Sequence, residues 1–271
     1  MRMRTRERME TGGSAATPAP CSFFPARTRC KVMGIVNATP DSFSDGGLFD
    51  TPEKAVARAR ALMDDGAAMI DVGGESTRPG ATPLEWRGEW ARIEETVRIL
   101  APECSARGVA LSVDTYHPET AKLAAGAGAT MLNCVYAGHI AEMAEICESS
   151  GAILCAPAEC FASVRRLAGR RGTPGGLPSL YIDPMVGFGT TREQDLELIR
   201  SAPGLGRQCA TLVGVSRKRI VAHLTGRAAG GLGGSVAIAV WCALNGVSAV
   251  RVHDVRETVD AIAAAEAVAF A

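Results

Sequence analysis

Residues 51–74, "TPEKAVARARALMDDGAAMIDVGG", change period in their middle, and that change decides the fold. Up to Gly66 the apolar residues recur at three- and four-residue spacing, the pattern of an amphipathic helix. Pro52 stands where such a helix begins and Gly66 where it ends. From Ala68 the chain becomes a short, nearly continuous apolar run, "AMIDVGG", as a strand covered on both faces requires. A strand of this kind belongs in a parallel sheet under helices.

The unit repeats. The strand-like runs are "KVMGIVN", "AMIDVGG", "VALSVDT", "TMLNCVY", "AILCAP", "SLYIDP", "TLVGVS" and "AVRVHD". Helical patterns such as "LEWRGEWARIEETVRIL" lie between them, with Gly108 and Pro118 at helix boundaries, and "VRETVDAIAAAEAVAF" follows the last run. Eight β/α units without a linker predict an α/β protein with a single (β/α)8 TIM barrel over residues 29–271; an open doubly wound sheet is the alternative. Residues 1–28 carry Arg2, Arg4, Arg6 and Arg8, then "TGGSAATPAP", without the apolar core of a secretory signal, and are expected to form a disordered tail.

Composition removes several classes of function. Lys+Arg and Asp+Glu are both 29, so no global basic field awaits nucleic acid. No run approaches the roughly 18 apolar residues of a membrane span. The nine cysteines have no CxxC pair and mostly lie in apolar segments, as buried thiols do in a reducing compartment, so a cytoplasmic protein without structural zinc is expected.

In a barrel, ligand chemistry collects where strands end. These runs terminate in Asn37, Gly73-Gly74-Glu75, Asp114, Asn133, Cys155, Asp183, residues 216–218 and residues 251–254. A lone Asn at a strand end often only caps a turn. Behind Asn37, however, Thr39, Asp41, Ser42, Ser44 and Asp45 supply oxygen atoms in excess of one turn, with Phe43 among them. That composition suits a mobile lid offering ligands to a hard cation and an aromatic wall to a flat substrate. Asp114, Asn133 and Asp183 need partners if buried, and structural partners are one answer. A planar heterocycle with adjacent ring N–H and amino donors is another, since it meets a carboxylate through two parallel hydrogen bonds. Lys218, Arg251 and His253 share the rim, and Arg251 and His253, two apart on a strand, face the same way. With "GGLGGS" opening a helix nearby, they point to a phosphate or pyrophosphate guest.

Together "MGIVNATPDSFSDGG", "DVGGESTRPG", "SVDT", "IDP", "GFG", "SRK" and "RVHDV" resemble the ordered motifs of the dihydropteroate synthase family, from about residue 31 to the end. The resemblance implies condensation of 6-hydroxymethyl-7,8-dihydropterin pyrophosphate with p-aminobenzoate, releasing pyrophosphate, in folate biosynthesis. It implies pterin contacts at Asp114, Asn133, Asp183 and Lys218, and pyrophosphate contacts at Asn37, Thr77, Arg78, Arg251 and His253. It further implies an aminobenzoate pocket of Pro40, Phe43, Phe188 and Ser216, and Mg²⁺ held at Asn37 and Asp45. The groups expected to act in the reaction are Asn37, Lys218, Arg251 and His253. The small-residue final helices suit a homodimer face and equally a barrel's own helix layer.

The chain also departs from the family pattern. Cys134 stands where Asp usually follows the strand-four Asn, and strand five ends "LCAPAEC" around Cys155 and Pro157. Met185 replaces a more common Gly, Thr190 a frequent Lys, and the connection between strands five and six is short. These differences carry two expectations: lower turnover or weaker sulfonamide binding than in a typical member, or, as the alternative function, a pterin-binding paralogue with little or no synthase activity.

Overall fold

The structure is a computed structural model that describes residues 30–38, 51–75, 82–170, 180–206, 209–227 and 231–270. The expected tail, together with Pro40, Phe43, Asp45, Thr77 and Arg78, lies outside the described residues.

Eight strands, β1 (Lys31–Asn37), β2 (Met69–Gly73), β3 (Ala110–Asp114), β4 (Met131–Asn133), β5 (Ile153–Pro157), β6 (Leu180–Asp183), β7 (Ala210–Val213) and β8 (Ala249–Val252), pair in sequence order. All pairings are parallel and β8 returns to β1, closing the barrel predicted from the alternating periods. Around it lie α1 (Pro52–Asp64), α2 (Trp86–Arg107), α3 (Pro118–Gly126), α4 (Ile140–Ser150), α5 (Phe161–Arg170), α6 (Arg192–Leu205), α7 (Arg219–Thr225), α8 (Leu232–Leu244) and α9 (Val255–Ala269).

Local chemistry explains the boundaries. Pro52 and Pro118 open α1 and α3, where a missing N–H costs no helical bond. Gly108 closes α2 in the left-handed region at φ 66°, a conformation that costs glycine little. Thr191 and Gln194 form a reciprocal cap at the start of α6. Two boundaries differ from expectation. The seventh strand ends at Val213, so residues 214–218 form a loop, and two helices follow it instead of one. Because α8 starts at Leu232, the later glycines of "GGLGGS" sit inside its first turn. The short connection after β5 still supplies a 3₁₀ turn and α5, whose Val164 is buried against the barrel.

Strand alternation separates two cores. Outward side chains, including Val32, Ile70, Val72, Leu111, Val113, Leu132, Leu154 and Val250, pack under the helices. Truncating one such residue to alanine typically costs about 2–5 kcal/mol. Inward side chains Met33, Met69, Met131, Cys155, Tyr181, Leu212 and Ala249 fill the barrel interior as a second apolar cluster. This inner cluster is the floor on which the polar residues stand.

Candidate active site

The same alternation builds the site. The register pairs Asn37 with Gly73, Gly73 with Asp114, and Asp114 with Asn133, a row across the C-terminal ends of β1 to β4. Asp183 ends β6 beside Pro157, and Arg251 lies on β8 beside Met33. Asp71, two residues before Gly73, joins this inward set although the sequence reading did not single it out.

Arg251 ties the layer together. Its Nε donates to Asp71 Oδ2 at 2.6 Å and its Nη2 to Asp114 Oδ2 at 2.7 Å. Asn133 Nδ2 donates to the same Asp71 oxygen at 3.1 Å. Asp71 is wholly buried, and its Oδ1, like Asn133 Oδ1, accepts nothing among the described residues. Burial works against the guanidinium charge, but Asp71 and Asp114 outweigh it and hold its pKa above the ordinary value. Burial pushes the Asp114 carboxyl up to about 7, with Arg251 opposing the shift and Asp71, Glu89 and Asp183 adding to it. With Nε and one Nη2 hydrogen engaged, three guanidinium hydrogens remain for other acceptors.

On the other wall, Lys218 Nζ donates to the Val186 carbonyl at 2.6 Å and stands 4.7 Å from the centre of the Phe188 ring. Burial lowers its pKa, and the Asp183 carboxylate opposes that shift. Asp183 is raised by burial, offset by Lys218 and by the Met185 N–H, which donates to Asp183 Oδ1 at 2.7 Å. Gly187 N–H is in turn held by Asp195 Oδ1 at 2.7 Å, which shapes the loop carrying Phe188. Ser216 Oγ accepts from His253 N–H at 3.2 Å and lies 3.1 Å from the ring Nδ1, fixing the imidazole's orientation.

The fold therefore gathers Asp114, Asn133, Asp183, Lys218 and Arg251 over one apolar floor, with Asn37, Ser216, Phe188 and His253 in the loops and strand ends at the same mouth. Asn37 ends β1 opposite Gly73, and its amide makes no side-chain hydrogen bond to another described residue. Cys155 belongs to the inner floor, while Cys134 is buried in the outer layer with its thiol against the Tyr136 carbonyl. The departure at Cys134 thus leaves the inner wall of the barrel untouched.

Sequence reading missed more than Asp71. Glu89 on α2 is buried, accepts from Thr115 Oγ1 at 2.7 Å, and has its pKa raised by burial. Glu75, named at the end of the second run, accepts from Tyr116 OH at 2.8 Å. A helical Glu in an amphipathic pattern gives no sign of burial, whereas Asp71, a carboxylate inside an apolar run, did carry a legible signal.

The pterin binding enzyme family profile matches residues 33–165 and 158–253. A dihydropteroate synthase of Streptococcus pyogenes serotype M6 is 35% identical over 253 residues, covering 86% of this chain and 93% of that protein. The solved dihydropteroate synthase of Yersinia pestis with a sulfonamide drug aligns at TM-score 0.78 and 33% identity, over 90% of this chain and 95% of that one. The enzyme from Xanthomonas albilineans in complex with 7,8-dihydropteroate aligns at TM-score 0.73 and 34% identity, over 90% and 95% of the two chains.

Proposed function

Since the chain belongs to the pterin binding enzymes, and within them to the dihydropteroate synthases, we propose a residue-by-residue assignment of that reaction to its barrel mouth. The activity is transfer of a dihydropterin methylene from pyrophosphate to the amine of p-aminobenzoate, giving 7,8-dihydropteroate. The observation that carries the assignment is the polar layer of buried Asp71, Asn133 and Asp183 with part-buried Asp114, flanked by Lys218 and Arg251 over an apolar floor.

Asp114 and Asp183, ionised, accept the paired N–H donors of the pterin edge, and Asn133 contributes through its unused Oδ1. Lys218 meets the pterin carbonyl side. Arg251 keeps both carboxylates and turns its remaining hydrogens to the diphosphate, beside His253, with Thr77 and Arg78 assigned to the same anion. In the reaction the methylene C–O bond breaks and its electron pair leaves with the pyrophosphate oxygen. The arylamine nitrogen then forms the new C–N bond and releases a proton. Stabilising the departing anion and keeping the electron-poor methylene dry lower the barrier, so no strong base is needed. Phe188 and Ser216, with Pro40 and Phe43, form the aminobenzoate pocket in this reading.

The residues also fit Mg²⁺. The Asn37 amide oxygen is a hard donor without a partner among the described residues, and Mg²⁺ commonly takes only one or two protein ligands beside substrate phosphates. Asn37, with Asp45, would hold the ion, which when bound neutralises charge growing on the leaving diphosphate. A reducing, cytoplasmic setting accords with the buried thiols, and no described helix is long and apolar enough to cross a membrane. A homodimer through α7–α9 is part of the proposal, supported by the exposed Leu224, Leu232 and Trp241 and tested by light scattering.

The deciding experiment measures pyrophosphate release with both substrates and Mg²⁺ in wild type beside Lys218→Ala. Release in wild type and its loss in the variant are expected. Equal signals would show that this rim does not carry the reaction, and ligand-induced stabilisation without product would mark a binding paralogue.

A further inference from the structure

Arg217 lies between Ser216 and Lys218, and its guanidinium turns to Asp254. It is one of two non-glycine residues in the described chain with positive φ, at 59°. L-residues adopt that region only when their surroundings impose it. Two contacts among the described residues hold it there. The Arg217 N–H donates to Ser235 Oγ at 3.1 Å, and its guanidinium grips Asp254 through Nη2–Oδ1 at 2.7 Å and Nε–Oδ2 at 3.3 Å.

Asp254 is unusual for a complementary reason. It occupies the N-cap of α9, where an aspartate ordinarily accepts from the helix's first N–H groups. Its side chain makes no such bond, because its carboxylate is turned to Arg217. Strain at one residue and a forgone cap at the other meet in the same ion pair. Only about a quarter of either side chain is exposed, so solvent screens it incompletely (27% and 20%).

The pair joins the loop after β7 to the end of β8. On one side its neighbour is Lys218, tied to Val186; on the other it is His253, whose N–H donates to Ser216 Oγ. We propose that Arg217 and Asp254 form a positioning clasp that sets the separation of Lys218 from His253, and so the placement of the pterin relative to its diphosphate. The inference rests on the function proposed above. Arg217 and Asp254 are positioning residues and touch no reacting atom.

The test compares wild type with Arg217→Gln, Asp254→Asn, their double variant and Arg217→Lys. Thermal melts, kcat and KM are measured, and calorimetry records binding of 6-hydroxymethylpterin alone, inorganic pyrophosphate alone and the joined diphosphate substrate. A misplacement of about 1 Å can cost about a hundredfold, so each neutral variant should lose about that much in kcat/KM. The two fragments, each needing only one side of the clasp, should bind within about twofold of wild type. The double variant should be no worse than either single one, and Arg217→Lys should recover part of the loss while lacking the fork. Wild-type-like turnover in either neutral variant, fragment affinities falling as far as that of the joined substrate, or losses that multiply in the double variant would each overturn the clasp. Should the neutral variants fail to fold, Arg217→Lys decides, with undiminished turnover counting against it. A wild type that releases no pyrophosphate defeats the proposed function; the clasp is then judged from joined-substrate binding against the fragments.

Discussion

Arg251 Nη2 stands 2.7 Å from Asp114 Oδ2, so the residue expected at the diphosphate and the residue expected at the pterin are bound to one another. Asp71, at 2.6 Å from Arg251 Nε, completes the bridge from inside the barrel. In the assignment proposed above, a single connected charge network would meet both ends of one substrate.

The network makes Asp71 the most sensitive position of the floor. It is fully buried and accepts from both Arg251 and Asn133. Removing its charge leaves Arg251 with one carboxylate partner fewer in a dry site, a change of the kind that costs about 3–5 kcal/mol. Asp71→Asn should therefore lower unfolding stability by about 3 kcal/mol in urea titrations and weaken pterin binding as well. A stability change below about 1 kcal/mol would mean that the network is not sustained in solution.

Asp114 predicts a pH dependence. Its carboxyl is pushed by burial to about 7, and in the proposed assignment it is the ionised form that accepts the paired pterin hydrogen bonds. The pH profile of kcat/KM, which reports the free enzyme, should fall on the acid side of about 7. The stability consequence has the opposite sense. A carboxyl raised above its ordinary 3.8 contributes stability fully below that value and loses it as pH rises through about 7. Asp114→Asn should flatten the melting temperature between those limits, and a variant curve parallel to wild type would refute the assignment.

The barrel was legible because eight buried runs alternate with helical periods, and the rim because polar side chains break those runs at one end. Asp114, Asn133, Asp183, Lys218 and Arg251 were all readable in this way. What the sequence withheld is pairing: nothing local says that Arg251 on β8 reaches Asp71 on β2 and Asp114 on β3 across the barrel. Nor does local pattern report the backbone strain at Arg217, which depends on partners far along the chain. Cys134 looked like a change to the pocket, and only the parity of β4 turns it outward.

Met185 is the other strained position. Its φ is 66°, in the region that favours glycine, and its N–H must keep that course to reach Asp183 Oδ1. The family pattern more often has Gly there. Relief of left-handed strain is worth about 1 kcal/mol, so Met185→Gly should raise stability by up to that amount, while Met185→Ala should not. Equal effects of the two substitutions in chemical denaturation would show that the backbone at 185 is unstrained.

Cys134 and Cys155 separate the two faces of the barrel. Both are buried, but Cys134 packs in the outer apolar layer and Cys155 in the inner floor beneath Asp71, Asp114 and Asp183. Cys134→Ala removes one buried atom from the outer layer and should cost about 1 kcal/mol with pterin affinity unchanged. Cys155→Phe forces extra volume into the interior, at about 1–3 kcal/mol, and should lift or displace the carboxylates above it. Calorimetric titration of 6-hydroxymethylpterin distinguishes them, because only the inner substitution should weaken binding. If Cys134→Ala instead weakened pterin binding while Cys155→Phe left it intact, the inward and outward assignments of these strands would be reversed, and with them the placement of the whole polar layer.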